Sequence, residues 1–402
     1  MQPISSSLRA TLKRRGHTVA SLAQVLNTDL TPVENGEFAT QENKSHIQNF
    51  ITDGNIDVDH ERIIRRTADL TIVNDKAEFT PDDKWSGHFY INRVIRLWRG
   101  AVTHGDVREY ALGGTFMIDS ADVIVERNMS MVTLTLSDFG KKLVKSFQVR
   151  PKEWADGTHI NTVIGDIITL AGADYPHAPG LAPLQAANGG SRTDPDTYTL
   201  NGKFRLERGD NHGDKLKELL TRYDLDGYFN VEGRFVTQDI LSTADRAEVW
   251  RFEPTTDDDP ANHGGLISLR RSFSDDRLYN RVVVVGTKNE KAIVYAERRD
   301  TNPDSLTNID RLGNRVLLEE DQNIGTQALA NQKADALWKY HFKIDETVVL
   351  DVICNPALDA NDVVRIIEPE WAKINKALRI KSLNVPLTTA RQTLTLVNVI
   401  RS

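Results

Sequence analysis

The sequence has one cysteine, Cys354, among 402 residues, so no disulfide can form within the chain. Folding in a reducing compartment is the expectation. Long hydrophobic runs are missing too: none approaches the roughly 20 apolar residues that span a bilayer as a helix. There is no basic excess. Lys and Arg number 50 against 57 Asp and Glu, a formal net charge of -7 at pH 7, which argues against the basic stripe of a dedicated nucleic-acid binder. Aromatics are sparse at 7%, yet with 27% charged residues the composition is that of a folded chain rather than a disordered one. The opening MQPISSSLRATLKRRGH is polar and basic, without the apolar core of an export signal, so export by that route is not expected.

Catalytic signatures are the next absence. No Gly-x4-Gly-Lys-Ser/Thr phosphate loop occurs; Phe139-Gly140-Lys141-Lys142 lacks the first glycine and the hydroxyl residue. His60-Glu61 opens like a zinc-protease helix, but Ile64 stands where the second histidine must be, which removes a metal ligand. A Gly-x-Ser-x-Gly elbow is missing. Cys354 sits in an apolar run before Asn355-Pro356 and reads as a buried structural thiol. Asp257-Asp258-Asp259 supplies hard oxygen ligands, but consecutive side chains diverge and no calcium-loop spacing accompanies them, so a solvated acidic loop is expected. Gly209 to Asp214 reads as a polar turn whose Asp caps the helix that follows. No catalytic, cofactor-binding or metal-ligating residue is singled out, no cofactor is called for, and the chain is not expected to be an enzyme.

What is present is strand after strand. Thr347–Ile353 and Asp362–Ile367 are β-branched runs separated by Asn355-Pro356, which favours a bend. Ala377–Leu387 and Gln392–Ile400 follow, making four strands in a row. The same order of strand types occurs earlier. Arg66–Asn74 resembles the first, Tyr90–Arg99 the second, Gly114–Val125 the third and Met129–Ser137 the fourth. The second pair shares an Asn followed by an apolar-Arg core. The preserved order of four points to an internal duplication.

Helical spacing appears elsewhere. Leu8 and Leu12, then Val19, Leu22, Val25 and Leu26, predict one or two short helices over residues 1–30, followed by a loop over Asn27–Glu42. His46–Ile51 and Ile56–Val58 are expected as short strands turning at Asp53-Gly54. The strands between Arg62 and Val144 are expected to break at Asp82-Asp83, at Gly100 with His104-Gly105-Asp106, and at Gly113-Gly114. Ile160, Val163, Ile164, Ile167 and Ile168 predict a helix ending at Gly172. Pro176–Asp196, with four prolines, is expected to be a loop. A helix at Asp214–Tyr223 and a hairpin of Gly227–Phe229 with Arg234–Thr237 make a small α/β module, and Thr255–Gly265 is again loop. A last helix is expected at Thr326–Tyr340, with Leu329, Lys333, Ala336, Leu337 and Tyr340 on one stripe. The expected fold is α+β, mainly β: a helical or irregular segment at 1–60, a β-barrel at 61–150, the helix-plus-hairpin module at 151–265 and a second, similar antiparallel β-barrel at 266–402.

Three stretches resemble a known family. Arg93–Gly100 followed by Arg108–Ile118 (REYALGGTFMI), then Asp276–Gly286 with Tyr279-Asn280, then Asn355-Pro356-x-Leu358-x-x-x-Asp362-Val363-Val364, resemble motifs of bacteriophage baseplate and tail-tip hub proteins. These are related in fold to contractile-phage hubs and type VI secretion spikes. Asn361 stands where that family usually has glycine. The resemblance covers roughly residues 60–402 and implies a structural protein of the virion, assembled in the host cytoplasm. It further implies a homotrimer whose two barrels per chain form a pseudo-six-fold ring closing a non-contractile tail tube. The implied partners are the distal tail protein ring, the tape measure protein and tail fibre or spike proteins, with DNA passing through the lumen without specific binding. Two alternatives accompany this expectation. One is the hub of a contractile injection system. The other is a receptor- or cell-wall-binding tail protein, for which Tyr198, Tyr223, Tyr228, Phe229 and Phe235 would form an exposed carbohydrate platform.

Overall fold

A computed structural model describes residues 1–14, 17–27, 30–40, 50–74, 77, 79–81, 88–126, 129–172, 199–200, 202–223, 225–239, 247–254, 265–274, 278–288, 292–321, 324, 326–341 and 345–398. Asp82-Asp83, Pro176–Asp196 and Asp257-Asp258-Asp259 lie outside these residues. The chain divides into two compact units: Met1–Leu241 with Asp245–Leu269 and Val349–Leu396, and Ser242–Ala244 with Arg270–Val348 and Val397–Ser402. It is mainly β, as expected.

The first unit begins with helix α1 (Ser6–Leu12), capped by Ser5, whose hydroxyl accepts from Leu8 N. Strands β1 (Val19–Leu26), β2 (Pro32–Thr40), β3 (Phe50–Asp59), β4 (Arg66–Val73), β5 (Val94–Val102), β6 (Arg108–Glu126) and β7 (Met129–Ser137) follow. They pair in the circular order β1, β5, β6, β7, β4, β3, β2 and back to β1, a closed barrel without a free edge between neighbours. Three expectations are corrected here. Val19–Leu26 is strand, not helix: its apolar residues fit either period, and partners on both edges decide in favour of extended backbone. Residues 32–40 are strand rather than loop, with Pro32 at the first position, where no ladder donor is lost. Asp53-Gly54 is not a turn, because β3 runs through it with only a bulge between Ile51 and Asp53.

Gly113-Gly114 and Gly100 likewise lie inside β6 and β5 rather than breaking them. At Gly100 the reason is close approach: a Cβ there would sit 1.7 Å from the carbonyl oxygen of Glu109 on β6. Gly100→Ala is therefore expected to abolish soluble expression. Gly105→Ala, in the adjacent turn with φ 77° and no atom near its Cβ, should cost about 1–2 kcal/mol. Soluble yield and circular dichroism of the two variants check this.

A module follows the barrel: α2 (Gly140–Lys145), β8 (Lys152–Trp154), α3 (Ile160–Leu170), β9 (Phe204–Leu206), α4 (His212–Arg222), β10 (Leu225–Phe229) and β11 (Phe235–Asp239). The apolar stripe of α3 is buried as predicted, and Gly172 ends it at φ 62°. Leu216, Leu219 and Leu220 of α4 pack into the same core with Phe229 and Phe235. The cap of α4 is Asn211 rather than an aspartate of this turn: the Asn211 side chain accepts from Asp214 N, while Asp210 accepts from Glu207 N. β10 and β11 form the expected hairpin.

The second barrel combines β12 (Trp250–Phe252) and β13 (Leu266–Ser274) with β17 (Asp345–Ile353), β18 (Val363–Glu368), β19 (Ile374–Pro386) and β20 (Arg391–Asn398). Its order is β12, β18, β19, β20, β17, β13, closed by a parallel bridge between Pro254 and Leu266. The four-strand run β18-β19-β20-β17 repeats β5-β6-β7-β4 in both connectivity and neighbour order. Detail repeats as well. Asn92 and Asn361 both adopt positive φ, 68° and 74°, a conformation asparagine tolerates where glycine would otherwise serve. Asn92 N donates to Ile118 O and Ile118 N to Arg93 O; Asn361 N donates to Ile380 O and Ile380 N to Asp362 O. Burial over Val94–Arg99 and Val363–Glu368 follows one pattern, buried at the first, second, fourth and sixth positions. The barrels are structural copies.

The second unit carries β14 (Arg281–Lys288), flanked by antiparallel β15 (Ala292–Arg299) and parallel β16 (Val316–Asp321), with α5 (Ile309–Leu312) and α6 (Gln327–His341). The α6 stripe turned to the sheet runs through Ala330, Ala334, Leu337 and Trp338, against Val282, Val284 and Val294. Lys333 is half-buried, and the side chains of Leu329, Ala336 and Tyr340 lie outside the described set. Asn280 is fully buried, donating to Thr307 O (3.1 Å) and Gly313 O (2.8 Å) and accepting from Arg315 N (2.8 Å). The Tyr-Asn motif thus pins a loop.

Candidate functional site

The two barrels are joined by strand pairing. β19 leaves β18 after Arg379 and crosses to β3, pairing Ser382–Pro386 with Asp59–Asn55. One sheet therefore runs β13, β17, β20, β19, β3, β4, β7, β6 through both barrels. Successive side chains of a strand alternate between faces, and here the inward set (Ile56, Leu70, Val132, Leu134, Leu383, Leu394) is buried. The outward set is short and polar. Asn55 and Asp57 lie opposite Asp69 and Thr67; Asp69 and Thr71 lie opposite Thr135 and Thr133. Asp122 opposes Thr133, and Asn384 opposes Asp57.

This outward face carries Asp53, Asp57, Asp59, Asp69, Asp122 and Asp351. Of the arginines that reach it, Arg62 pairs with Asp59 at 3.1 Å and Arg391 with Asp351 at 2.5 Å. Arg391, with the hydroxyls of Ser268 and Thr393, holds the Asp351 carboxyl down at about 2. At the seam a groove of about 380 Å³ is lined by Asp57, Asp59, Thr67, Asn384, Thr393 and Thr395, among others. The walls of this groove, and then Asp69 across the strand, push the Asp57 carboxyl up. The face is wide, hydrophilic and net negative. Its signal lay in the sequence as a period-two alternation, Asp53, Asn55, Asp57, Asp59 and then Thr67, Asp69, Thr71. It was missed because Asp53-Gly54 reads as a turn.

A second polar cluster fastens the module to the barrels. Arg65 is fully buried, donates to Asp226 (3.3 Å) and Ala360 O (3.0 Å), and stacks 3.6 Å over the Tyr228 ring. Arg66 donates to Phe229 O (2.8 Å) and pairs with Asp359. Asn361 donates to Asp226 (3.0 Å) and accepts from Arg379 (2.7 Å). His60 lies 3.5 Å from Asp226. The zinc-protease-like His60 is thus part of a structural network. Cys354 is fully buried. Among the described residues no group of three or more His, Cys, Asp or Glu is placed to hold a metal. Phe229 and Phe235 are core, Tyr228 is covered by Arg65 and Tyr223 packs on the module core. These four form no exposed platform, and Tyr198 lies outside the described residues.

No protein-family profile and no curated protein matches this sequence. Solved structures do. The tail protein from Neisseria meningitidis MC58 aligns over 95% of this chain and 97% of its own, with a TM-score of 0.64 and 11% identity. The 43 kDa tail protein of prophage MuSo2 from Shewanella oneidensis aligns over 96% and 98%, with a TM-score of 0.60 and 12% identity. A chain of the Francisella PdpA–VgrG complex aligns over 96% of this chain and 58% of its own, at 0.55 and 9%. The chain has the fold of phage tail and baseplate hub proteins. Among the described residues no helix is long and apolar enough to cross a membrane.

Proposed function

We propose that this protein is a structural hub of a tailed-phage tail tip or baseplate, in which three copies form a ring of six barrels around a channel. The duplicated barrel, joined through one sheet whose outward face is hydrophilic and acidic, carries this reading. Three copies of a duplicated domain match a six-fold tube. In the ring, the outward face lines the channel, where short hydroxyls and aspartates repel a polyanion rather than hold it. The tape measure protein and then DNA pass through without specific binding. The distal tail ring and fibre or spike proteins adjoin the hub, which is assembled in the host cytoplasm and remains in the virion. The protein has no catalytic role.

Likeness to a chain of the PdpA–VgrG complex favours a second setting for the same ring, the hub of a contractile injection system.

Light scattering across concentration with negative-stain imaging tests the ring. The expected particle contains three chains of 45.1 kDa and shows six lobes; a stable two- or four-chain particle overturns it. Gel retardation tests the lining. The wild-type ring should leave duplex DNA unretarded at physiological salt, while a ring carrying Asp57→Lys and Asp69→Lys should retard it. Retardation by wild type removes the channel assignment.

A further inference from the structure

The three-stranded sheet of the second unit has one face covered by α6, the face that carries Val282, Val284 and Val294. Side chains alternate along a strand, so the odd-numbered residues of β14 and β15 and the even-numbered residues of β16 occupy the opposite face. A solvated sheet face is ordinarily polar. This one carries exposed apolar side chains: Ile293 is 77% exposed, Tyr295 46%, Leu318 55% and Val316 43%. Val285 is half-buried and Val283 buried between them. Contiguous apolar surface of this kind marks an interaction site.

The register sets these six side chains on a diagonal. Ile293 precedes Tyr295 on β15, Tyr295 lies beside Val285 of β14, Val283 lies beside Leu318 of β16, and Val316 completes the line. Side chains on one face are about 7 Å apart along a strand, and strands are about 5 Å apart across the sheet, so the stripe is about 20 Å long and inclined by about 25° to the strands. The positions off the diagonal are charged. On one side Arg281 pairs with Glu297 at 3.0 Å, Tyr295 Oη donates to Glu297 at 2.5 Å, and Arg299 is exposed beside Arg281. On the other side Glu320 is exposed beside Val285. Among the described residues neither Arg299 nor Glu320 forms an ion pair.

This outline selects the shape of what covers it. A second sheet laid face to face would bury whole rows and trap the charged positions inside the contact. A single rod along the diagonal covers the six apolar side chains and leaves the charges at its sides. An α-helix rises about 1.5 Å per residue, so about 14 residues span the stripe.

We infer that this face is the docking site of one amphipathic α-helix, about four turns long, from a partner protein. Its apolar residues recur at i, i+3, i+4 and i+7. A cationic side chain on one flank meets Glu320, and an acidic side chain on the other meets Arg299. The sheet then lies between two helices, α6 of this chain and the helix of the partner. The site is built by the second unit alone, so its loss leaves the hub reading intact.

The test titrates the full chain against a fluorescein-labelled peptide of about 16 residues with leucines at helical period, lysines on one flank and glutamates on the other, read by fluorescence anisotropy. Binding is expected, and Ile293→Glu with Leu318→Glu should weaken it about tenfold or more. Circular dichroism of this variant should match wild type, since both side chains are exposed. A peptide with lysines on both flanks should bind Arg299→Glu about threefold more tightly than wild type. Three results overturn the inference: no binding of the helical peptide, equal binding of a peptide of the same composition whose leucines alternate at strand period, or binding undiminished by the glutamate pair. A wild-type oligomer that the glutamate pair splits into monomers in light scattering also overturns it, by assigning the face to a second copy. Retention on phosphatidylglycerol vesicles that is lost in the same variant overturns it too, by assigning the face to a lipid surface.

Discussion

Arg99→Ala is expected to lower the stability of the first unit by about 2–4 kcal/mol, more than most single substitutions in this chain. Arg99 is 0% exposed. Its guanidinium donates to Pro386 O (2.8 Å), Thr389 O (3.1 Å) and Gly100 O, holding the β19–β20 turn of the second barrel onto β5 of the first. Ser21 Oγ donates to Leu387 O (2.6 Å) and Leu387 N to Gly54 O (2.9 Å), so the turn is clasped from several sides. Gly54 admits Leu387, whose Cδ1 would lie 2.7 Å from a Cβ there. Truncating Arg99 leaves at least two buried carbonyls without a donor, at about 1–3 kcal/mol each, and opens a void. Relief of burying a cation, which pulls the Arg99 pKa down, offsets part of this. Arg99→Met separates the two effects: it keeps the stem and should recover the packing share of the loss but not the orphaned carbonyls. The thermal midpoint should fall by roughly 5–10 °C for alanine and by less for methionine. Equal midpoints for wild type and alanine would show that the clasp does not depend on this guanidinium.

Titration of His17, His60 and Asp138 between pH 7.5 and 4.5 is expected to destabilise the protein by about 3 kcal/mol together. Burial, and then the nearby Arg99 charge, lower the His17 imidazole to about 4. Burial, opposed by Asp226 and reinforced by Arg65 and Arg379, lowers His60 to about 4. In the unfolded chain both protonate near 6.5. Between these values the unfolded state binds more protons, so the stability they contribute is complete above about 6.5 and lost as pH falls toward 4, at about 2–3 kcal/mol each. Asp138 acts with the opposite sign. Full burial raises it to about 6, against the pull of the Arg66 and Gly140 amides. The cost of its charge is therefore present above about 6 and relieved as pH falls, by about 2 kcal/mol. Asp351, depressed to about 2, contributes stability above its unfolded pKa that is lost only below this window. Thermal midpoints at the two pH values should differ by roughly 5–10 °C, and His17→Gln with His60→Gln should flatten the difference. A midpoint independent of pH in wild type would contradict the burial assigned to both imidazoles.

Local chemistry makes much of the architecture legible in the sequence. The two runs of four strands, the α3 and α4 faces and the β10–β11 hairpin all follow from short-range periodicity and turn residues. So does the repeat, because Asn92-Arg93-Val94-Ile95-Arg96 and Asn361-Asp362-Val363-Val364-Arg365 preserve the residues that the left-handed turn and buried face demand. Val19–Leu26 failed because its apolar residues satisfy both a 3.6 and a mixed period, and only β2 and β5 on its two edges settle which is formed.

The residue types of the candidate channel face were visible in the chain, as alternating Asp, Asn and Thr. That they belong to one surface was not. Asp57 and Asn384 meet because β19 finds the open edge of β3, and pairing across more than 300 residues is governed by which edges remain unfilled after the local hairpins form, a property of the assembled barrels. The contrast between Leu387 and Val125 arises in the same way. Both are apolar residues near the end of the third strand of a repeat, and sequence places them alike. Leu387 is 0% exposed and Val125 73% because, among the described residues, β3 covers the end of β19 and no strand other than β7 pairs with the end of β6.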